Sequence, residues 1–178
     1  MTQTCYTGDG SSGGLNGGAF NSSKFIGNRF STGNVLIGQD ITQFTVWLTT
    51  VDDGVSSELS AQILNSGGSV IATSTNTINN NTLNEYSSPT WGQFTECVFT
   101  FASHTLADGE KLVIRNSTPS TSLRAAQLYE FSPAPNPVYC SSDDCPLNTH
   151  QIRMCVTTGS VSSGGTRLPP PPIILGGI

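Results

Sequence analysis

The chain has 178 residues, with 7 basic and 12 acidic side chains and a formal net charge of −5. Only 11% of its residues are charged, which is less than half the usual fraction. The basic residues are scattered and form no stripe that could neutralise phosphates, so we expect no nucleic-acid partner. No run of apolar residues approaches the roughly 18 of a transmembrane helix, so we expect no membrane insertion.

The composition favours β-structure. About a third of the chain is Thr, Ser or Asn, and 19 Gly and 10 Pro add further turn-forming residues. No apolar repeat of helical period persists for more than two turns, which excludes a helical bundle. The length suits one domain, and 35% apolar residues can fill a lean β-sandwich core.

Residues 24–131 alternate between apolar and polar side chains with a period of two, which predicts strands. The predicted inward set is Phe44, Val46, Leu48, Leu59, Ala61, Ile63, Cys97, Phe99, Phe101, Leu112 and Ile114. We expect Lys111, Val113 and Arg115 to point outward. Turn sequences at 65–68 and 108–109 predict a hairpin and a tight reversal.

The flanking segments differ from this central part. Residues 1–23 form a Gly-rich arm with six Gly between Gly8 and Gly18, which cannot bury surface by itself. Residues 132–156 form a Pro- and Cys-rich hairpin or loop region. Residues 157–178 form a Pro-rich arm with an apolar tip. The first residues lack the basic start and apolar stretch of a signal peptide.

The order of elements in residues 25–131 resembles a known class of modules. The segments FIGNRFSTGNVLIGQDITQFTVWL, LSAQILNSGGSVIATSTNTI, WGQFTECVFTF and LADGEKLVIRN carry the likeness. They are similar to jelly-roll β-sandwich modules of the carbohydrate-binding-like type, found on secreted enzymes and adhesins and in phage virion and tail proteins. The resemblance implies an all-β, jelly-roll-like antiparallel β-sandwich, here with extended N- and C-terminal arms.

The resemblance also implies sites. Such modules stack aromatic rings on sugars, which makes Trp47, Trp91 and Tyr86 the glycan-contact candidates. In the alternative interpretation, the two tryptophans cap the ends of the sandwich or lie under the loop 79–89. Related modules can hold a structural Ca²⁺, for which the acidic pairs at 52–53 and 143–144 are candidates, although such pairs in turns are more often solvated.

The chain has five cysteines. Cys97 shares a face with Phe99 and Phe101, which predicts a buried free thiol. The remaining cysteines allow three interpretations, of which the first is disulfide bonding. The disulfide candidates are Cys140, Cys155, Cys145 and Cys5, with a Cys140–Cys155 bridge closing a hairpin. The even spacing of Cys140, Cys145, His150 and Cys155 also resembles a zinc knuckle, although its first spacing is four residues instead of two. In the third interpretation these thiols stay reduced.

Nothing in the sequence predicts catalysis. The chain has two histidines, His104 and His150, and His104 is expected to face solvent in a loop. A carboxylate pair such as Glu85 and Glu96 does not by its spacing define a glycosidase. No nucleophile-elbow, zincin or phosphate-loop motif is present. We therefore expect a protein that is not an enzyme and requires no cofactor.

The sequence as a whole favours a structural or attachment protein of a surface assembly. The most concrete form is a virion component, such as a capsid decoration, spike or tail-associated protein, located on a virion or an extracellular surface. Its partners would be copies of itself and other assembly proteins, with glycans as further ligands. The assembly arm comprises Pro169, Pro170, Pro171, Pro172, Ile173, Ile174 and Leu175. The alternatives are a carbohydrate-binding module of a secreted or cell-surface protein and an extracellular filament subunit joined by strand addition.

Overall fold

The structure is a computed structural model, and it describes residues 1–6, 25–50, 56–85, 94–117, 123–125, 127–128, 138–140 and 151–159. Nearly all of these residues lie in antiparallel strands or in the turns between them. The fold is therefore all-β, as the alternating sequence pattern predicts. None of the helical structure in the described ranges is long and apolar enough to span a bilayer.

The strands follow one another in chain order. The first seven are β1 (Thr2–Tyr6), β2 (Ile26–Arg29), β3 (Asp40–Thr50), β4 (Glu58–Leu64), β5 (Val70–Thr73), β6 (Ile78–Asn79) and β7 (Thr95–Thr105). The rest are β8 (Lys111–Asn116), β9 (Leu123–Ala125), β10 (Gln127–Leu128), β11 (Val138–Cys140), β12 (Gln151–Ile152) and β13 (Met154–Thr158). A short 3-10 helix, Asn80–Thr82, follows β6.

Two sheets face each other. Sheet A has the order β1-β13-β3-β7, with β9 also paired to β3. Sheet B has the order β11-β2-β8-β4-β5, with β6 also paired to β4. A small third sheet joins β10 and β12. Every pair of strands in the described ranges is antiparallel, so neighbouring strands present alternate side chains to the same two faces.

A single apolar core fills the space between the two sheets. Sheet A contributes Phe44, Val46, Leu48, Cys97, Phe99, Phe101, Met154 and Val156, and sheet B contributes Ile26, Leu59, Ala61, Ile63, Leu112 and Ile114. All the residues predicted to point inward belong to this set, which confirms the strand phase. The predicted turns are also present, since Gly68 N–H donates to Asn65 O and Gly109 adopts a φ of 80°.

The outer face of β8 is buried, contrary to the prediction. Lys111 and Val113 were expected to point into solvent but are only 2% and 0% exposed. Phe25, immediately before β2, packs there with Val113 in a second apolar cluster. The guanidinium of Arg115 lies 5.2 Å from the centre of the Phe25 ring. A lysine or arginine can lie on an apolar surface in this way because its long stem is itself apolar.

The sandwich also extends beyond residues 24–131. The central position of sheet A, between β1 and β3, is occupied by β13, and all five of its residues are buried. The first strand, β1, comes from the segment predicted to be a Gly-rich arm. The boundaries predicted for the sandwich, residues 24 and 131, therefore separate β1 and β13 from the rest of sheet A. Alternation in the sequence reveals a strand, but it does not reveal the strands with which that strand pairs.

Asn28 ties β2 of sheet B to the last strands of the chain. Its side chain is fully buried in the core, where Oδ1 accepts a hydrogen bond from the Ile152 N–H at 3.1 Å. Nδ2 donates to Ile152 O at 3.3 Å and approaches Met154 Sδ at 3.1 Å. A buried amide with both ends satisfied stabilises the fold only while its partners stay in place.

Asn76 protects the outer edge of β7. Its Oδ1 accepts from the Thr100 N–H at 2.8 Å, and its Nδ2 donates to Val98 O at 3.0 Å. The Thr75 N–H adds a bond to Thr100 O at 2.7 Å. One side chain thus makes the two bonds that a neighbouring strand would make, which leaves this edge less able to pair with another chain.

We predict that Asn28→Ala lowers the free energy of unfolding by about 2–3 kcal/mol, because it removes the buried hydrogen bonds that the Asn28 side chain makes to the Ile152 N–H and C=O. Urea unfolding followed by tryptophan fluorescence measures the change. The matched control is Asn81→Ala, at an exposed position, for which we expect a change within about 0.5 kcal/mol. Equal effects of the two substitutions would show that the Asn28 contacts do not close the sandwich.

Candidate functional site

The outer face of sheet A carries the most distinctive group of exposed side chains in the described ranges. Phe44, Val46 and Leu48 of β3 point into the core, so the residues between them point away from it. Trp47 lies on this outer face and is half-buried. The structure thus places one of the predicted glycan-contact residues on a sheet surface.

Trp47 is held between two charged residues. Across the β3–β7 ladder its partner is Glu96, whose side chain is exposed. On the opposite side, the guanidinium of Arg153 lies 4.2 Å from the centre of the Trp47 ring. A cation at this distance is attracted to the negative face of the indole, and it also covers that face. Trp47, Glu96 and Arg153 together form what we call the tryptophan row.

This row offers hydrogen-bonding and stacking groups within a small area. The carboxylate accepts hydrogen bonds, the guanidinium donates them, and the ring supplies an apolar plane. Hydroxyl-rich ligands are recognised by such combinations. Arg153 occupies one ring face, so a ligand that stacks on Trp47 must use the other face or displace the arginine.

The disulfide lies in the adjacent row of the same face, and it corrects the predicted pairing. Cys5 of β1 and Cys155 of β13 are directly opposite in the ladder and bonded, with an S–S distance of 2.08 Å. The predicted Cys140–Cys155 bridge is wrong, since Cys155 is bonded elsewhere and Cys140 lies in β11 of sheet B. Pairing depends on which strands are neighbours, and the sequence spacing does not reveal that.

The same bond removes one ligand from the predicted zinc set. Cys155 cannot act as a thiolate ligand while it is bonded to Cys5. Cys145 and His150 lie outside the described residues. Within the described ranges, no group of three or more His, Cys, Asp or Glu side chains is arranged to hold a metal ion.

Cys97 is the free thiol that the sequence predicts. It is buried on the core side of β7, and its Sγ lies 3.6 Å from Thr95 O. Desolvation raises the pKa of this thiol to about 12, and the nearby Glu96 carboxylate adds to the shift. A thiol with such a high pKa is protonated at neutral pH, so Cys97 acts as a small core residue and not as a nucleophile.

His104 does not face solvent from a loop, as the sequence suggested. It lies in β7, and its Nε2 is 2.8 Å from Oε2 of Glu110, which is buried. The same carboxylate oxygen accepts a hydrogen bond from the Ala107 N–H at 3.0 Å. Glu110 thereby closes the connection between β7 and β8, and the pair has a structural role between the two sheets.

Several predicted site residues lie outside the described residues. These are Tyr86, Trp91, the acidic pairs at 52–53 and 143–144, and the assembly arm 169–175. Glu85 forms an isolated bridge with Thr50, and Glu96 belongs to the tryptophan row. Of the three glycan-contact candidates, the structure therefore describes Trp47 alone, and a joint glycan site formed with Tyr86 and Trp91 stays a prediction.

Sequence reasoning missed Arg153, Glu110 and Asn28. Arg153 is distant from Trp47 in sequence, and no local signal indicates that the two side chains meet. Glu110 is different, because the turn at 108–109 reverses the chain and could have placed it near His104. Asn28 interrupts an apolar alternation in β2, which is a recognisable sign of a buried polar contact.

We predict that the fold loses stability at alkaline pH through Cys97. Below pH 9 the thiol is protonated in both states; above pH 9 it ionises in the unfolded chain but stays protonated in the folded chain until about pH 12. The unfolding free energy should therefore fall by about 2 kcal/mol at pH 10.5 relative to pH 8 from this group alone. Cys97→Ala should lose less stability over the same interval, although its stability at pH 8 is lower.

Urea unfolding at both pH values measures the two losses. Burial also raises the pKa of Tyr6 from its ordinary value of 10.0. Tyr6 is present in both proteins, so its effect on the loss of stability is the same in both and cancels in the comparison. If the wild type and Cys97→Ala lose the same free energy between pH 8 and pH 10.5, the thiol is not desolvated in the folded state.

Comparison of the chain with protein-family models, with curated proteins and with solved structures gives no significant match.

Proposed function

We propose that the sandwich is a jelly roll. The strand orders β1-β13-β3-β7 and β2-β8-β4-β5 support this, because they contain eight strands that cross between the sheets at every step except from β4 to β5. Two interlocked Greek keys produce that pattern. Jelly rolls of this kind build viral capsid proteins and lectin domains.

We further propose that the chain is a non-enzymatic structural subunit of a surface assembly, most concretely a virion component such as a capsid decoration, spike or tail-associated protein. The observation that carries this proposal is the pairing of β1 with β13 at the edge of sheet A. Thr2 lies opposite Thr158, so the exposed Met1 lies at the same end of this sheet edge as Gly159, after which the segment 160–178 begins.

A terminal segment that begins at this edge can join a subunit to its neighbours on that side. The C-terminal segment carries Ile173, Ile174 and Leu175 after four prolines, a sequence that favours an extended spacer with an apolar end. Ordering such a segment costs conformational entropy, which contacts with a neighbouring subunit would offset. The low charge of the chain also suits a coat exposed to varied salt, because few of its contacts would be screened.

Light scattering over a range of protein concentrations tests the assembly proposal. We expect the full chain to oligomerise and a chain ending at Thr166 to stay monomeric with an unchanged circular dichroism spectrum. Negative-stain microscopy of the oligomer separates a closed assembly from an open filament. Compact monomers of both chains at every concentration would contradict the proposal.

The tryptophan row supports a second candidate function, a carbohydrate-binding module. Trp47 lies on the outer face of sheet A, with a carboxylate and a guanidinium beside it. An aromatic ring stacked on a sugar, with flanking polar groups that bond its hydroxyls, is a common arrangement for glycan contact. This function is compatible with assembly, since a coat protein with a glycan site would attach to a surface.

We predict that Trp47→Ala weakens binding of any glycan that the chain recognises by at least about tenfold, through loss of a stacking contact worth more than 1.4 kcal/mol. A glycan array identifies the ligand, and calorimetry measures the affinities. Val98→Ala is the matched control, because it removes an exposed apolar side chain from the same face. Equal affinities of the two variants and the wild type would exclude the tryptophan row as the glycan site.

A further inference from the structure

The first strand, β1, is attached to the fold differently from the others. Among the described strands it pairs only with β13. Thr2, Gln3 and Cys5 are exposed, and none of its five side chains belongs to the buried core. Only Tyr6 packs against that core, from a half-buried position. Removing β1 would therefore leave the space between the sheets largely filled.

The place that β1 occupies is specific. All five residues of β13 are buried, and their backbone pairs with β1 from Thr2 opposite Thr158 to Tyr6 opposite Met154. At one end, the hydroxyl of Tyr6 and the side chain of Asn34 exchange hydrogen bonds of 3.2 and 3.0 Å. Without β1, the open edge of a buried strand would be exposed, and such edges recruit another strand.

We propose that β1 of one copy of this chain can take the place of β1 on a second copy, where its Cys5 bonds to Cys155 of that copy. The inference rests on the proposed assembly function and identifies the element that joins the subunits. The occupant has the same sequence as the strand it replaces, so every contact described for β1 is available between copies. Such an exchange adds no new interface and loses none.

The chain between β1 and β2 is long enough for this exchange. Residues 7–24 can span at most about 60 Å when extended, which exceeds the width of a small domain. Six of these residues are glycines between Gly8 and Gly18, and glycine imposes few conformational restrictions on a connection. High local concentration in an assembly lets β1 of a neighbour compete with the internal β1, because the contacts are identical and only the effective concentrations of the two strands differ.

The covalent step is a thiol–disulfide exchange with a small-molecule disulfide such as oxidised glutathione. The Cys5 thiolate attacks one sulfur of the reagent, forms a mixed disulfide and releases one small thiol. The Cys155 thiolate of the second copy then attacks the Cys5 sulfur and releases the second small thiol. The two cysteines lose two protons and two electrons, and the reagent gains them as two thiols.

Exposure supports this order of events. Cys5 is exposed on the sheet edge, whereas Cys155 is only 5% exposed. A dissolved disulfide therefore reaches Cys5 from the open side of the edge strand, and Cys155 bonds to it once β1 is seated on β13. The disulfide then fixes whichever chain supplied the strand.

Isotope mixing of the full wild-type chain tests the proposal. Equal amounts of unlabelled and ¹⁵N-labelled chains are reduced, unfolded, mixed, and refolded at high concentration with oxidised and reduced glutathione. After acid quenching and alkylation, trypsin releases residues 1–24 and 154–167, which contain no cysteines other than Cys5 and Cys155. We expect linked peptides with one light and one heavy half, approaching about half of the total for random exchange between copies.

Mixing after oxidation is the control, and it should give no light–heavy pairs. If the refolded protein is oligomeric but contains only light–light and heavy–heavy pairs, the exchange of β1 is overturned while the assembly function stands. If it is monomeric and contains only such pairs, both proposals fail.

A second pair of variants gives the same answer by electrophoresis. Cys5→Ala and Cys155→Ala chains cannot form the bond within one copy, and Cys140 and Cys145 are replaced by Ser in both. When the two chains are oxidised together, we expect a covalent dimer on a non-reducing gel that neither chain forms alone. Its absence from a mixture of folded chains would overturn the exchange.

Discussion

The position of β13 between β1 and β3 determines how the rest of this fold is held together. Met154 and Val156 fill the core from sheet A, and the neighbouring Ile152 is fixed by the side chain of Asn28 from sheet B. A segment near the end of the chain thus completes a core that begins at β2. Such contacts are distant in sequence, so their cost in chain entropy is high, and burial of a continuous apolar layer offsets it. Loss of β13 would remove the strand that joins β1 to β3.

The two edges of sheet A are treated in different ways. At β7, the Asn76 side chain bonds the backbone groups of Thr100 and Val98, so this edge is closed by the same chain. At the other edge, β1 covers β13 with exposed or half-buried side chains and one disulfide. A closed edge prevents uncontrolled pairing, whereas an edge covered by a separable strand permits controlled pairing. This asymmetry agrees with a subunit that joins its neighbours on one side, as proposed for the C-terminal segment and for β1.

The chemistry of the described residues is mostly structural. The thiol of Cys97 is buried and protonated, His104 is bound to Glu110, and Cys155 is oxidised. Each of these three groups has a contact that supports the fold. In the tryptophan row, Glu96 is exposed and the Trp47 ring is only half-buried. This exposure supports the proposal of recognition at a surface.

Alternation in the sequence determined the all-β class, the inward sets of β3, β4, β7 and β8, the turns at 65–68 and 108–109, and the burial of Cys97. These are local properties, since a strand exposes every second side chain to one face whatever its neighbours are. Only the tertiary structure decided that Cys5 meets Cys155, that Arg153 covers Trp47, and that residues outside 24–131 complete sheet A. Those contacts join parts of the chain that are far apart in sequence. The order of the strands within the sheets decides these contacts, and alternation in the sequence does not determine that order. The physical reason is that hydrogen bonds between strands depend on neighbours in space and not on neighbours in sequence.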